Sequence, residues 1–175
     1  MTGFRSAAAA VALACAVLVL PAGAGAAYAQ GEGGKDGAQQ AATAADCHIF
    51  EIKASNEGNG VDPELKPLAR KLKKPPFSSW KAFKLLKRHE KKVERMKALN
   101  LGLVTGSKLA LLFRGASGGQ PSKTRLRLTF TLDDKNGKRK LDGTINLDSG
   151  DYSLIGGDSI EGGGTYIVAV SCTVP

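Results

Sequence analysis

Histidine and cysteine are scarce in this chain, with two and three among 175 residues. One cysteine, Cys15, lies in an N-terminal apolar run, which leaves Cys47 and Cys172 downstream. Two isolated thiols cannot fill a zinc site. His48 and His89 stand outside any pattern of a nucleophilic triad, so both read as packed or solvated rather than as bases or ligands. No metalloprotease helix motif and no phosphate-binding glycine loop occurs. No metal or cofactor is therefore expected, and no sequence signal requires catalysis. A βαβ rhythm and a repeat of fixed period are missing too, which argues against doubly wound and solenoid folds. After residue 29 no segment is long and apolar enough to cross a bilayer.

What is present begins with an export signal. Arg5 supplies a positive start, Ala7–Leu20 form an apolar run, and Pro21-Ala22-Gly23 breaks it. Ala27-Tyr28-Ala29 before Gln30 fits the small-x-small pattern of signal peptidase, so residues 1–29 are expected to be removed and the rest to be periplasmic or extracellular. Leu13-Ala14 ahead of Cys15 also allows a lipoprotein reading. Against it stand Ala12, where a larger aliphatic residue is expected, and an apolar run that continues past Cys15. Residues 30–46, rich in Gly, Ala and Gln, have little to bury and read as a flexible leader to a single domain over residues 47–175.

In an oxidising compartment Cys47 and Cys172 are expected to pair. Cys47 opens the first β-like run and Cys172 closes the last one, so a bridge would tie the two ends of the domain. The two strands should be neighbours or face each other across two sheets, with Cα atoms roughly 5.5 to 6 Å apart. Closing so long a loop is worth about 4 to 5 kcal/mol on the entropic argument.

Between the ends, Val61–Lys97 looks helical or mixed. Asp62 can cap a helix with Pro63 at its first position, Leu65, Leu68 and Leu72 recur at helical spacing, and Pro75-Pro76 must end it. Ser78 or Ser79 could cap a second helix carrying Trp80, Phe83 and Leu86. Continuation of that helix to Met96 and a one-turn helix followed by strands near Phe83–Lys87 and Lys91–Met96 fit nearly equally; the second version is preferred, because His89 and Glu90 interrupt the apolar stripe. From Leu99 onward the period is two. Leu109, Leu111 and Phe113 alternate after a Thr105-Gly106 turn, and Leu126, Leu128, Phe130 and Leu132 alternate with Arg125, Arg127, Thr129 and Thr131. Asn136-Gly137 suits a tight hairpin into Leu141, Ile145 and Leu147. The expected fold is mainly β, an antiparallel β-sandwich or barrel with one or two short helices in its N-terminal part.

Pro76-Phe77-Ser78-Ser79-Trp80, Phe83-Lys84-Leu85-Leu86, the Arg125–Leu128 strand and the closing glycine turns around Ile155 and Thr165–Val168 carry a resemblance. The chain resembles uncharacterised small exported β-rich proteins of myxobacteria and relatives. That group has no assigned activity, so the resemblance implies compartment and fold class and no functional residue. Gly157-Asp158-Ser159-Ile160 resembles the nucleophile block of GDSL-type esterases, but those enzymes place the serine early and an Asp-x-x-His late, and here both histidines precede it. Asp133–Gly137 resembles part of a calcium loop with Leu132 in the first ligand position and no closing Glu, so a hairpin turn is the better reading.

Charge is the unusual feature. Val61–Asn100 holds thirteen Lys and Arg against four Asp and Glu, a net of +9, as much as the whole chain carries. Lys73, Lys74, Lys87, Arg88, Lys91 and Lys92 are the candidate patch for an anionic partner. One reading is a solvated face that keeps the protein soluble. The other is contact with anionic lipid, polysaccharide or an acidic protein surface; nucleic acid is less accessible outside the cytoplasm. The function expected is a non-catalytic secreted or periplasmic binding or structural module, and the alternative is an extracytoplasmic hydrolase whose site forms only in the fold.

Overall fold

The structure, a computed structural model, describes residues 42–118, 124–160 and 162–175. The expected signal segment, Cys15 and most of the expected leader lie outside the described residues. The fold is mainly β, built from two sheets. Sheet A holds β1 (Ala44–Ser55), β2 (Gly60–Val61), β3 (Ala82–Glu94), β8 (Tyr152–Ser159) and β9 (Thr165–Thr173), in the order β2-β3-β1-β9-β8. Sheet B is the meander β4 (Ala98–Gly102), β5 (Lys108–Ser117), β6 (Arg125–Asp133) and β7 (Arg139–Asp148), in sequence order. All pairs are antiparallel except the short parallel contact of β2 with β3.

Strand periodicity decides which residues meet. On β1, Ala45, Cys47 and Ile49 point to sheet B, where they pack with Val168 and Val170 of β9 against Leu111, Phe113, Leu126 and Leu128. Phe50, Ile52 and Ala54 point the other way, into a second core with Ile167 and Ala169. That reverse face is covered by the segment between β2 and β3. A 3₁₀ turn over Pro63–Leu68 leads into the single helical turn α1 (Ala69–Leu72), and together they bury Leu65, Leu68 and Leu72. Asp62 caps this segment by accepting from the Glu64 N–H at 3.0 Å, as its position before Pro63 suggested. Lys71 Nζ reaches Asp151 at 2.7 Å and so ties the segment to the β7–β8 turn. Three layers result, and β1 and β9 are buried on both faces.

Four sequence expectations need adjusting. The first strand begins at Ala44, upstream of Cys47, because Ala44 and Ala45 are already buried and the Thr43 carbonyl accepts from Arg95 N–H at 2.7 Å. Residues 82–94 form one continuous strand, neither a helix nor two strands. His89 points inward to a buried partner, Glu90 points outward, and a bulge opposite Glu51/Ile52 takes up Leu86, so the break in the apolar stripe is no break in the strand. Of the second helix only a 3₁₀ turn, Phe77–Ser79, forms before Trp80 goes extended. The β6–β7 hairpin expected at Asn136-Gly137 forms, but the Asp134 N–H donates to the Lys138 carbonyl at 2.9 Å, so its loop is wider than the two-residue type. Asp134 Oδ1 accepts from both Asn136 and Lys138 N–H at 2.9 Å, and only Gly137 takes a positive φ, so a wider turn closes there.

Cys47 and Cys172 are bonded and sit directly opposite each other on β1 and β9. Their Cα atoms are 4.1 Å apart, closer than expected. Opposed residues of an antiparallel ladder approach to about 4.5 Å, whereas the wider figure suits a bridge between separate elements.

Candidate functional site

Among the described residues the fold assembles one buried polar cluster. Glu51 lies on the inward face of β1 between Ile49 and Lys53, fully buried at 0% exposure. The registers place His89 opposite Ile49 and Tyr166 opposite Lys53, so both are diagonal neighbours of Glu51 on the flanking strands. Glu51 Oε1 meets His89 Nε2 at 2.6 Å. Oε2 accepts from the Val104 N–H at 2.7 Å and from the Tyr166 hydroxyl. A carboxylate removed from water must recover its lost hydration from such partners, and this one has three. Burial first, and then the Glu51 carboxylate, push the Tyr166 phenol far above its ordinary pKa, so it stays protonated and donates. The nearby Thr105 hydroxyl acts the other way and lowers the pKa by less.

Chemically the cluster is a clamp. Val104 and Thr105 belong to the β4–β5 turn of sheet B, whereas Glu51, His89 and Tyr166 come from three adjacent strands of sheet A. The bonds therefore fasten one sheet to the other at the end of the sandwich. Both Glu51 oxygens are engaged. Tyr166 also lines a small pocket of about 120 Å³ with Leu132, Leu141, Ile155 and Val168, and neither Glu51 nor His89 reaches it.

The other sequence candidates are scattered. His48 faces Glu90, with Nδ1 3.4 Å from Oε1, on the outer surface of β1 and β3. Ser159 is exposed near the end of β8 opposite Thr165, and neither histidine bonds it. Asp134 spends Oδ1 on its own turn, and the Lys138 N–H holds its carboxyl below the usual range.

The basic candidates are all exposed but share no single face. Lys73 and Lys74 follow α1. On β3, Lys87 and Lys91 alternate with Arg88 and Lys92, so the pairs point to opposite sides of sheet A. Arg88 lies over the Phe50 ring, 5.5 Å from its centroid, and pairs with Glu90. Beyond Ala82 and Phe83, which β2 covers, the outer edge of β3 pairs with no strand of sheet A among the described residues.

Sequence reasoning missed a second basic feature. Arg114, Arg125 and Arg127 meet on the outer face of sheet B, along an open groove of about 620 Å³. The alternation of β6 marked Arg125 and Arg127 as solvent-facing, but only the pairing of β5 with β6 brings Arg114 beside them. Comparison with known proteins places none beside this chain: no family model, no curated protein and no solved structure matches it.

Proposed function

We propose that the protein is a non-catalytic, exported binding module that holds an anionic envelope surface through the basic segment. The supporting observation is that Lys73, Lys74, Lys87, Lys91 and Lys92 are exposed and have no ion-pair partner among the described residues. Asp46 stands opposite Lys92 and Glu51 opposite Lys87 on β1, yet the lysines form no ion pair with them. Instead Lys87, Lys91 and Lys92 face water on β3, whose outer edge pairs with no strand beyond Phe83 among the described residues, and Lys73 and Lys74 face water after α1, where flexible ammonium groups bring charge without fixed geometry. The disulfide suits an oxidising compartment, and among the described residues no helix is long and apolar enough to cross a membrane. Against the hydrolase alternative stands His89, whose Nε2 is held by Glu51 and whose side chain is only 10% exposed.

Sedimentation with phosphatidylglycerol and phosphatidylcholine vesicles tests the reading. Binding should favour the anionic vesicles and weaken steeply as salt shortens the screening length from about 8 Å to about 3 Å at 1 M. Reversing the five lysines to Glu should abolish the preference while leaving the fold intact. Equal partitioning of wild type and variant would remove the lipid surface as the partner.

A further inference from the structure

The arginine groove on sheet B differs from the lysine edge in kind. Arg125 and Arg127 lie two residues apart on the outward face of β6, about 6.8 Å along the strand. Arg114 is the extra residue of a bulge in β5, between Phe113 opposite Leu128 and Gly115 opposite Arg127. The bulge is held in place: Arg95 Nε donates to the Arg114 carbonyl at 3.1 Å, and Gly115 there has φ 150°. Arg114 Nε donates to Thr129 Oγ1 at 3.2 Å, and Thr129 Oγ1 lies 3.0 Å from Thr144 Oγ1. Arg125 Nε donates to Asp148 Oδ1 at 3.0 Å. Both guanidinium groups are thus aimed by Nε, with their Nη groups still available. Arg127, opposite Asn146, has no hydrogen-bond or ion-pair partner among the described residues.

The carboxylates of this face are segregated. Asp133 and Asp142 both bind Arg139, near the β6–β7 turn. Among the described residues the groove sets three arginines against Asp148 alone. Such a concentration of planar forks suits carboxylates, which guanidinium binds bidentately, more than it suits a diffuse charged surface. Thr129, Thr144 and Asn146 continue the groove floor with hydroxyl and amide groups that can bond to sugar hydroxyls. An acidic peptide would gain no main-chain pairing here, because β6 is flanked by β5 and β7 on both edges. We propose that this groove binds an acidic polysaccharide, with Arg114, Arg125 and Arg127 gripping successive carboxylates and the Thr and Asn side chains taking the hydroxyls between them. The site is separate from the basic segment and does not depend on it.

Titration calorimetry of the purified exported protein with polygalacturonate, neutral dextran and phosphatidylglycerol vesicles provides the test. Polygalacturonate should bind and dextran should not. Arg127→Gln should weaken binding roughly tenfold, and Arg114→Gln/Arg127→Gln further, with unchanged thermal melting because both side chains are exposed. Arg127→Lys should restore only part of the loss, since an ammonium keeps the charge without the fork. The five-lysine reversal should abolish vesicle binding and leave polygalacturonate binding at the groove, so the two surfaces fail separately. No binding of polygalacturonate, equal binding by Arg127→Gln, full rescue by lysine, or vesicles displacing the polysaccharide from the groove would each overturn the assignment.

Discussion

β3 and β9 flank the same strand, β1, and contribute the same kind of antiparallel ladder, yet their compositions are nearly opposite. β9 is buried from Tyr166 through Cys172, whereas β3 is exposed at most positions and carries Lys84, Lys87, Arg88, Lys91 and Lys92. Position explains the contrast. β9 has neighbours on both edges and cores on both faces, so its side chains from Tyr166 through Cys172 leave water; β3 has a bare outer edge, and charge there repels any second strand that would add to it. The lysines of β3 thus have a structural reason to exist even without a ligand. The arginines of β6 have none of that kind, because β6 lies inside sheet B.

The contrast breaks hardest on a charge placed in each strand. Ile167→Asp puts an unpaired carboxylate between Ile52 and the helical cover, and should cost more than about 4 kcal/mol in urea unfolding. Lys91→Asp on β3 should stay within about 0.5 kcal/mol. Similar losses would mean that burial does not separate the strands. Replacing both Cys47 and Cys172 by Ala should cost about 4 kcal/mol, since the bridge spans 125 residues of sequence. An unchanged urea midpoint would show that β1·β9 pairing alone closes the domain.

His89 is the exception on β3, the polar residue that behaves like a β9 residue. His89→Ala removes one partner from a fully buried carboxylate and should cost about 3 kcal/mol. Glu51→Leu/His89→Leu should cost less than the sum of the two single changes, and strict additivity would mean that the pair is not coupled. Tyr166 adds a smaller effect of defined sign. Its folded pKa is raised above the unfolded value of 10.0, so both states are protonated below pH 10 and the stabilisation is whole there. Above pH 10 the unfolded chain releases the proton and the folded one keeps it, so stability falls by about 1.4 kcal/mol per pH unit. Tyr166→Phe should flatten that alkaline loss relative to wild type. Parallel pH profiles would contradict the burial of the phenol beside the Glu51 carboxylate.

What could be read from the sequence was whatever depends on near neighbours. The alternation of Leu126, Leu128 and Leu132 marked β6, Asp62-Pro63 marked the start of the helical segment, and cysteines at the outer ends of the terminal runs implied their pairing. What depends on two strands meeting was not legible. His89 was legible only as packed or solvated inside Lys87-Arg88-His89-Glu90, because nothing local reveals the diagonal neighbour Glu51 on β1. The continuity of β3 was hidden by the bulge at Leu86, which shifts the alternation midway. The groove needed both the β5·β6 register and the bulge at Arg114, and a sequence shows neither. The basic patch was legible as charge but not as geometry, since alternation divides it between two faces.

The smallest effect on stability tests the edge itself. Changing Lys84, Lys87, Lys91 and Lys92 to Thr keeps β3 a good strand and touches no buried position, so the folded monomer should change by less than about 0.5 kcal/mol per site. Without its charges, however, the outer edge of β3 offers unsatisfied N–H and C=O groups to another copy. Sedimentation velocity should then show a coefficient that rises with protein concentration more than in wild type. Replacing the same residues by Glu should prevent that rise, since repulsion protects an edge whichever sign it carries. Both variants should lose anionic vesicles, so loss of binding with Glu but association with Thr separates two roles of one set of lysines. If the Thr variant sediments as wild type at every concentration, edge protection is not their role, and anionic contact is left as the sole reason for the charge.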